Sequence, residues 1–225
     1  MSDFDHYAQD YKRSVQDAFA LPGLESDFFA ATKAFELARL RPRGQPARAL
    51  DIGCGTGALH PFVAPLFAHL TGVDVSAQSI AMARASNPNH SYLIYDGLRL
   101  PFADGSFDLA FAAVVLHHVP PNQWSAFVAE MARVVTPGGL VAIIEHNPLN
   151  PLTRRTVRRC VFDENVVLLS SGKSVALLQD AGLTLPRVRF FPFLPLNGKL
   201  ARVIDNRLAW LPLGAQYIAS ATVCR

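Results

Sequence analysis

The stretch LDIGCGTG at residues 50–57 places a glycine-rich turn directly after a short apolar run. The run at 49–52 predicts a buried strand that ends where the glycines begin. Glycines let the backbone turn with positive φ and approach a ligand without interference from a Cβ atom. Because ligands in open α/β sheets bind at the carboxyl ends of the strands, this stretch predicts a binding loop at that edge.

Strand-like and helix-like segments alternate on both sides of this loop. Apolar spacing predicts helices at 26–40, 57–67, 77–86, 122–135 and 171–181. Apolar runs typical of strands lie at 49–52, 69–73, 91–95, 107–115, 139–145, 188–193 and 214–223. The alternation indicates an α/β fold with a mostly parallel sheet that is covered by helices on both faces.

The length and composition predict a single folded, soluble domain. The chain has 225 residues, of which 50% are hydrophobic and 17% are charged, and such values argue against disorder. The three cysteines show neither a CxxC pair nor metal-type spacing, so we expect no metal site and a reducing compartment. An acidic N-terminal segment and the lack of a long uninterrupted apolar run favour a cytoplasmic protein without a membrane span.

The charge beside the glycine loop bears on the ligand that the loop holds. Gly53, Gly55 and Ala58 also fit the G-x-G-x-x-G/A dinucleotide pattern, so the glycines alone leave a nicotinamide cofactor open. The Asp51 carboxylate would repel a pyrophosphate, whereas it suits a ligand whose nearest groups are an ammonium and a sulfonium. S-adenosylmethionine carries both of these groups, and we expect it as the cofactor.

Two further acids follow the next two strands. Asp74 ends the strand in GVDVS, 17 residues beyond Gly57, where a carboxylate can accept hydrogen bonds from both ribose hydroxyls. Val75 is then placed to lie against the adenine face. Asp96-Gly97 follows the third strand, and Asp96 is a candidate acceptor for the adenine amino group, with a surface turn as the alternative.

Together these segments resemble a known family, the class I S-adenosylmethionine-dependent methyltransferases, and within it the ubiquinone/menaquinone-type group. The resemblance covers about residues 47–146 and includes LDIGCGTG, GVDVS, LPFADGSFDLAF, VLHHV and VVTPGGLVAIIE. It implies a Rossmann-like seven-stranded sheet whose last strand is antiparallel, with the loop at 53–57 around the methionine part of the cofactor. The N-terminal FDHYAQDY is similar to a family segment in which Tyr11 would help to close the cofactor site.

The candidate cofactor residues gather on the strand ends and the loops that follow them. They are Tyr11, Asp51, Gly53, Cys54, Gly55, Gly57, Asp74, Val75, Ser76, Asp96, Gly97 and Ala113. We assign Cys54 only a backbone role, because nothing in the sequence supplies its thiol with a base. Around these residues we expect an N-terminal helical lid at 1–45, a cofactor-binding core at 46–146, a basic substrate-side insert at 147–180 and closing strands at 181–225.

Candidate catalytic residues follow the fourth and fifth strands, at the same edge of the sheet. They are His117, His118, Glu145 and His146. Methyl transfer mainly requires alignment of the acceptor and exclusion of water, and a base is needed only when the acceptor must lose a proton. An imidazole titrates near neutrality and suits that task. The alternative is that these residues only shape or brace the pocket.

Basic residues concentrate in the C-terminal third of the chain. Residues 151–225 hold 11 lysines and arginines against 4 acids, whereas residues 1–150 hold 10 against 14. Four of the basic residues are clustered: Arg154, Arg155, Arg158 and Arg159. Their guanidinium groups suit phosphate or carboxylate, although a solvated basic helix is the simpler alternative.

Aromatic and apolar residues accompany these arginines in the C-terminal third. The combination suggests a small or lipid-like acceptor with an acidic or phosphorylated group, or contact with a membrane surface. Nucleic acid is disfavoured because no recognised binding module is present and half of the chain is acidic. Two rival functions remain: an NAD(P)-dependent oxidoreductase, and a methyltransferase-like scaffold subunit that binds the cofactor but is inactive without a partner.

Overall fold

The computed structural model describes residues 26–40, 47–160, 166–194, 196 and 198–224. In the described residues the helices are α1 (Ser26–Leu40), α2 (His60–Val63), α3 (Ala77–Ser86), α4 (Trp124–Arg133), α5 (Pro151–Val157), α6 (Ser171–Asp180) and α7 (Lys199–Leu208). The strands are β1 (Arg48–Ile52), β2 (His69–Asp74), β3 (Ser91–Ile94), β4 (Phe107–Ala113), β5 (Val135–His146), β6 (Leu183–Phe191) and β7 (Gln216–Val223).

The seven strands form one sheet in the order β3-β2-β1-β4-β5-β7-β6. The first five strands of that order are parallel, whereas β7 runs antiparallel to both β5 and β6. The predicted seven-stranded, mostly parallel sheet with an antiparallel last strand is therefore confirmed. The strand order reverses direction between β1 and β4, and the crevice at this point of an open α/β sheet is the usual ligand site.

Helices cover both faces of the sheet, and alternate residues of the strands face opposite layers. On one face Phe111 of β4 packs in a cluster with Leu37 of α1. On the other face Ala112 of the same strand belongs to a cluster with Phe127 and Met131 of α4. The central strand β4 is thus buried on both sides, which accounts for its almost continuous apolar sequence.

Two parts of the chain differ from the helices and strands predicted from the sequence. The predicted helix at 57–67 is shortened to α2 and a following 3-10 turn at Ala64–Leu66, because the residues before α2 remain in the glycine turn. The interval predicted to hold only closing strands contains α7. Ala201, Ile204 and Leu208 of α7 turn inward at i, i+3, i+7 spacing, while Leu200 and Val203 are exposed, so the helical signal was present in the sequence and was missed. No helix in the described part of the chain is long and apolar enough to cross a membrane.

Candidate functional site

The glycine loop is tied to the end of β2 through its backbone. The N–H groups of Gly53 and Cys54 both donate to the carbonyl of Val73, at 2.8 and 3.0 Å. Gly53 has φ +75°, and a Cβ atom added to it would lie 2.6 Å from Cγ2 of Val115. Both the backbone conformation and the close contact therefore require glycine at this position. Burial raises the pKa of the Cys54 thiol, which agrees with a backbone role for this cysteine.

Asp74 joins the glycine loop to the first turn of α3. Its Oδ2 accepts from the N–H of Gly55 at 2.8 Å, and its Oδ1 accepts from the N–H of Ser76 at 2.9 Å. Burial raises the pKa of this carboxyl, and the two backbone donors oppose the rise. Ser76 in turn caps α3 by accepting from the N–H of Ser79. Each carboxylate oxygen has a further lone pair, so Asp74 keeps the capacity to accept from hydroxyl donors.

Asp51, at the end of β1, is buried and bonded to a histidine that the sequence did not single out. Nε2 of His60 lies 3.1 Å from Asp51 Oδ2, and Nδ1 of His60 lies 2.5 Å from the hydroxyl of Tyr92. Because an ionised carboxylate only accepts, Nε2 carries the ring proton and Nδ1 accepts from Tyr92. Burial raises the pKa of Tyr92, so its hydroxyl keeps the proton that this chain of bonds requires.

Asp96, Gly97 and Val75 lie together beside the end of β3. Oδ1 of Asp96 accepts from the N–H groups of Leu98 and Arg99, each at 2.8 Å. These two bonds hold the pKa of the exposed Asp96 below its usual range, so the carboxyl is ionised. Gly97 has φ +81°, and the space beside it is bounded by Cγ1 of Val75. Gly97 thus adjoins both residues that the sequence assigned to adenine, Val75 and Asp96.

Glu145 and His117 form a buried pair at the ends of β5 and β4. Oε2 of Glu145 accepts from Nδ1 of His117 at 2.6 Å, while Oε1 accepts from the N–H groups of Val115 at 3.1 Å and Leu116 at 2.7 Å. Burial opposes ionisation of Glu145, but His117 and these donors outweigh it and hold the pKa of Glu145 below its ordinary value. Glu145 is therefore an ionised carboxylate that braces the loop after β4.

Two further histidine rings lie against this pair. The ring centroid of His117 is 4.1 Å from that of His118 and 5.4 Å from that of His146. His117 is buried, whereas His118 and His146 are half-buried. Val114, just after the half-buried Ala113, has φ +64°, a strained conformation for a β-branched residue. The four predicted catalytic residues are thus brought together beside a strained strand end.

Besides His60, the structure adds two residues that sequence reasoning missed, and one predicted residue falls outside it. Lys33 of α1 is half-buried; burial lowers its pKa to about 8, against the opposing effect of Glu145 and Asp51. Gln216 is buried beside His146 in the sheet register, and its Oε1 accepts no hydrogen bond from the described residues. A basic residue in the middle of the apolar pattern of 26–40 was the available signal for Lys33. Tyr11 lies outside the described residues.

Comparison with known proteins connects this geometry to a family. A methyltransferase domain family matches residues 50–143. An uncharacterized methyltransferase of Synechocystis is 33% identical over 148 residues, which cover 64% of this chain and 70% of the relative. The chain belongs to the class I S-adenosylmethionine-dependent methyltransferases. Its cofactor is accordingly S-adenosylmethionine, as the acid beside the glycine loop predicted.

A second sequence relative of this methyltransferase matches over less of its length, and a solved structure matches over almost all of it. The 2-methyl-6-phytyl-1,4-hydroquinone methyltransferase of Synechocystis is 31% identical, and the match covers 51% of this chain and 39% of that protein. The chain therefore spans well under half the length of that relative. The structure of a possible histamine N-methyltransferase from Thermotoga maritima is 20% identical, with a TM-score of 0.70 and coverage of 98% of each chain, and this likeness concerns the fold.

The residues of this methyltransferase fit the cofactor. The buried carboxylates Asp51 and Asp74 flank the glycine loop, and two negative groups at this place suit the ammonium and sulfonium charges of S-adenosylmethionine. A Cβ atom at Gly53 would overlap Val115, whereas the space beside Gly55 is open for 4 Å, so the backbone at Gly55 is accessible to close approach by a ligand. The loop, Asp74 and the Asp96 group therefore line one continuous run of strand ends, from β1 to β3.

Proposed function

We propose that this methyltransferase transfers the methyl group of S-adenosylmethionine to an oxygen, nitrogen or carbon of a small or lipid-like molecule, as members of the ubiquinone/menaquinone-type group do. The proposal is carried by one observation: Val115 touches Gly53 of the glycine loop and donates its N–H to Glu145. The cofactor loop and the histidine cluster are therefore direct neighbours. A relative named for a phytyl hydroquinone supports a lipid-like acceptor.

The cofactor roles follow the strand ends. Asp74 accepts from the ribose hydroxyls, Val75 and Asp96 hold the adenine, and the loop at 53–57 encloses the methionine part. When bound, the cofactor would supply a methyl group on a sulfonium: the acceptor would bond to that methyl carbon in line as the carbon–sulfur bond breaks, and S-adenosylhomocysteine would leave. The chain contributes alignment and exclusion of water, and such positioning accounts for most of the catalysis in reactions of this kind.

Proton removal, for acceptors that need it, is assigned to the histidine cluster. The Glu145 carboxylate fixes the proton of His117 on Nδ1 and fixes the orientation of its ring, so His117 is a positioning residue. His118 and His146 are half-buried, and an acceptor can reach them more readily than His117. We propose that one of these two rings accepts the proton, in the manner of a general base.

The recognition of an acidic acceptor is assigned to the arginines after β5. An open groove of about 730 Å³ is lined by Pro151, Leu152, Arg154, Arg155, Arg158 and Arg159. The helix α5 carries Arg154 and Arg155 and ends at Val157, so the last two arginines follow the helix. All four guanidinium groups are exposed, and they suit a phosphate or carboxylate on the acceptor or at its point of delivery.

Calorimetric titration with S-adenosylhomocysteine, with NADH as the control, tests the cofactor half of the proposal. Binding of S-adenosylhomocysteine alone is expected; binding of NADH alone would favour the oxidoreductase. The acceptor half is tested by following S-adenosylhomocysteine formation with panels of quinols, phenols, amines and lipid extracts. Cofactor binding without turnover on any panel, followed by activity on the same panels only when a partner protein is added, would instead support a scaffold that needs a partner.

A further inference from the structure

The loop after β5 and the loop before β7 form one continuous surface. Nδ2 of Asn150 donates to the carbonyl of Leu213 at 2.7 Å, and Nδ2 of Asn147 donates to the carbonyls of Pro212 and Gly214 at 3.1 and 2.8 Å. The hydroxyl of Thr153 donates to the carbonyl of Ala215 at 2.9 Å. These four bonds hold α5 and its N-cap against the chain that enters β7.

Large apolar side chains point to solvent from this surface. Leu149 and Leu152 are 62% and 70% exposed, and Leu213 and Trp210 are 54% and 73% exposed. Single exposed apolar residues are ordinary, but several in adjoining loops mark an interaction site. Trp210 stands three residues before Leu213 and follows α7, on which Leu200, Val203 and Arg207 share one exposed face through their i, i+3, i+7 spacing.

The charge on this surface has one sign. Arg154, Arg155, Arg158 and Arg159 line the groove beside Leu152. No aspartate or glutamate occurs at 146–162 or at 206–224. Exposed leucine and tryptophan interleaved with arginine are what an anionic bilayer surface recognises, because the apolar groups enter the boundary of the acyl chains while the guanidinium groups meet the headgroups.

We infer that the surface formed by residues 149–159 and 210–213 is a docking face for an anionic membrane, and that it brings a lipid-like acceptor to the histidine cluster. This inference rests on the proposed function for the acceptor but not for membrane binding. The face lies where β5 ends and β7 begins, since His146 and Gln216 pair in the sheet register. A molecule that leaves the bilayer at this face is therefore at the candidate active-site edge.

Vesicle sedimentation with a matched pair of double variants tests the inference. Leu152→Asp with Arg155→Glu changes the docking face, and Leu185→Asp with Arg187→Glu makes the same charge change near the opposite edge of the sheet. Leu152 and Leu185 are 70% and 71% exposed, and both arginines are exposed. Leu185 has φ +52°, which aspartate tolerates better than leucine.

Wild-type protein is expected to bind vesicles of mixed phosphatidylglycerol and phosphatidylcholine and to bind pure phosphatidylcholine weakly. The first variant should bind the mixed vesicles at least about tenfold more weakly, and the control should stay within about twofold of wild type. Unchanged affinity of both variants for S-adenosylhomocysteine verifies that they are folded. Absence of vesicle binding by wild type, or an equal loss in both variants, would overturn the inference.

Two further measurements distinguish a membrane-docking face from a phosphate-binding site and from a protein interface. Sodium phosphate and sodium chloride at equal ionic strength should weaken vesicle binding equally; a much stronger effect of phosphate would identify a site for a soluble phosphorylated acceptor and overturn the membrane assignment. A wild-type dimer that the first variant splits, measured by light scattering, would identify a protein interface instead. Vesicle binding with no methylation of any lipid would support the membrane-docking face and would contradict the delivery of a lipid-like acceptor.

Discussion

Glu145 and His117 are joined by a 2.6 Å hydrogen bond between Oε2 and Nδ1, and both side chains are buried. The same carboxylate holds the N–H of Val115, whose side chain lies against Gly53. A single anion therefore determines the tautomer of a candidate catalytic histidine and supports the candidate cofactor loop. Its removal should affect stability, cofactor affinity and turnover together.

Glu145→Gln should lower the free energy of unfolding by about 3 kcal/mol at neutral pH, because His117 and the backbone donors lose a charged acceptor inside the protein. The pKa of Glu145 is lowered from an ordinary value of 4.5. The stability that ionised Glu145 contributes is thus fully present above pH 4.5, and it is lost as the pH falls through the lower pKa of the folded state. Urea unfolding should show a wild-type advantage that is constant down to about pH 5 and then shrinks.

The exposed Asp180→Asn, at the end of α6, is the control for Glu145→Gln. It should leave stability within about 0.5 kcal/mol of wild type. An advantage of wild type over Glu145→Gln that persists undiminished at the lowest pH would contradict an ionised Glu145.

Asp74→Asn should weaken binding of S-adenosylhomocysteine by about 1.5 to 3 kcal/mol, because the amide is a poorer acceptor for ribose hydroxyls than a carboxylate. The amide retains an oxygen that can accept from one of the two backbone N–H groups that Asp74 now binds. Calorimetry is the measurement, and Asp108→Asn, which weakens the ion pair and the backbone hydrogen bond that Asp108 makes with Arg48, should bind normally. A change of a few tenths of a kcal/mol would remove Asp74 from the ribose site.

Gly53→Ala and Gly55→Ala separate backbone strain from lack of space. Both residues have positive φ, but a Cβ at Gly55 meets nothing within 4 Å, whereas a Cβ at Gly53 would overlap Val115. Gly55→Ala should cost about 1 kcal/mol of stability and Gly53→Ala about 1 to 3 kcal/mol more. Thermal unfolding and cofactor titration check the order, and equal effects of the two variants would argue against the contact with Val115.

Lys33→Met should stabilise the protein at neutral pH, because the ammonium is held in a site that lowers its pKa from 10.5 to about 8. The unfolded chain binds more protons between these two values, so wild-type stability rises with pH across that interval. The free energy of unfolding of the variant should exceed that of wild type by about 2 kcal/mol below about pH 8, after allowance for partial exposure. This difference should vanish near pH 10.

Urea unfolding at several pH values measures the effect of Lys33→Met, with Lys173→Met at an exposed position of α6 as the matched loss of a lysine. If the advantage of Lys33→Met stays constant over the interval, Lys33 does not titrate within it. Turnover of the same variant shows whether the amine also contacts the acceptor, because a purely structural lysine would leave the pH profile of the reaction unchanged.

Local patterns in the chain were sufficient for the parallel core and for the candidate cofactor residues. The strand β1, the glycine turn and the acids at 74 and 96 follow one another along the chain, and each strand carries its candidate cofactor residue at its own end. The helix α3 was predicted with its observed bounds at 77–86, because its cap and its apolar spacing are both local. The arginines and apolar residues of the C-terminal third suggested a membrane contact but not this docking face, because its parts come from segments some sixty residues apart that meet through the bonds of Asn147, Asn150 and Thr153.

The sequence alone was enough to establish the α/β class, the cofactor and the strand ends on which the site lies, because these depend on periodicity and on motifs within a few residues. Tertiary structure decided which side chains share protons and charges. Asp51 is hydrogen-bonded to His60, and Glu145 is hydrogen-bonded to His117. The negative charges of Asp51 and Glu145 also act on the ammonium of Lys33. These relationships depend on which strands and helices are neighbours, and burial makes the interactions strong by removing the water that would otherwise screen them.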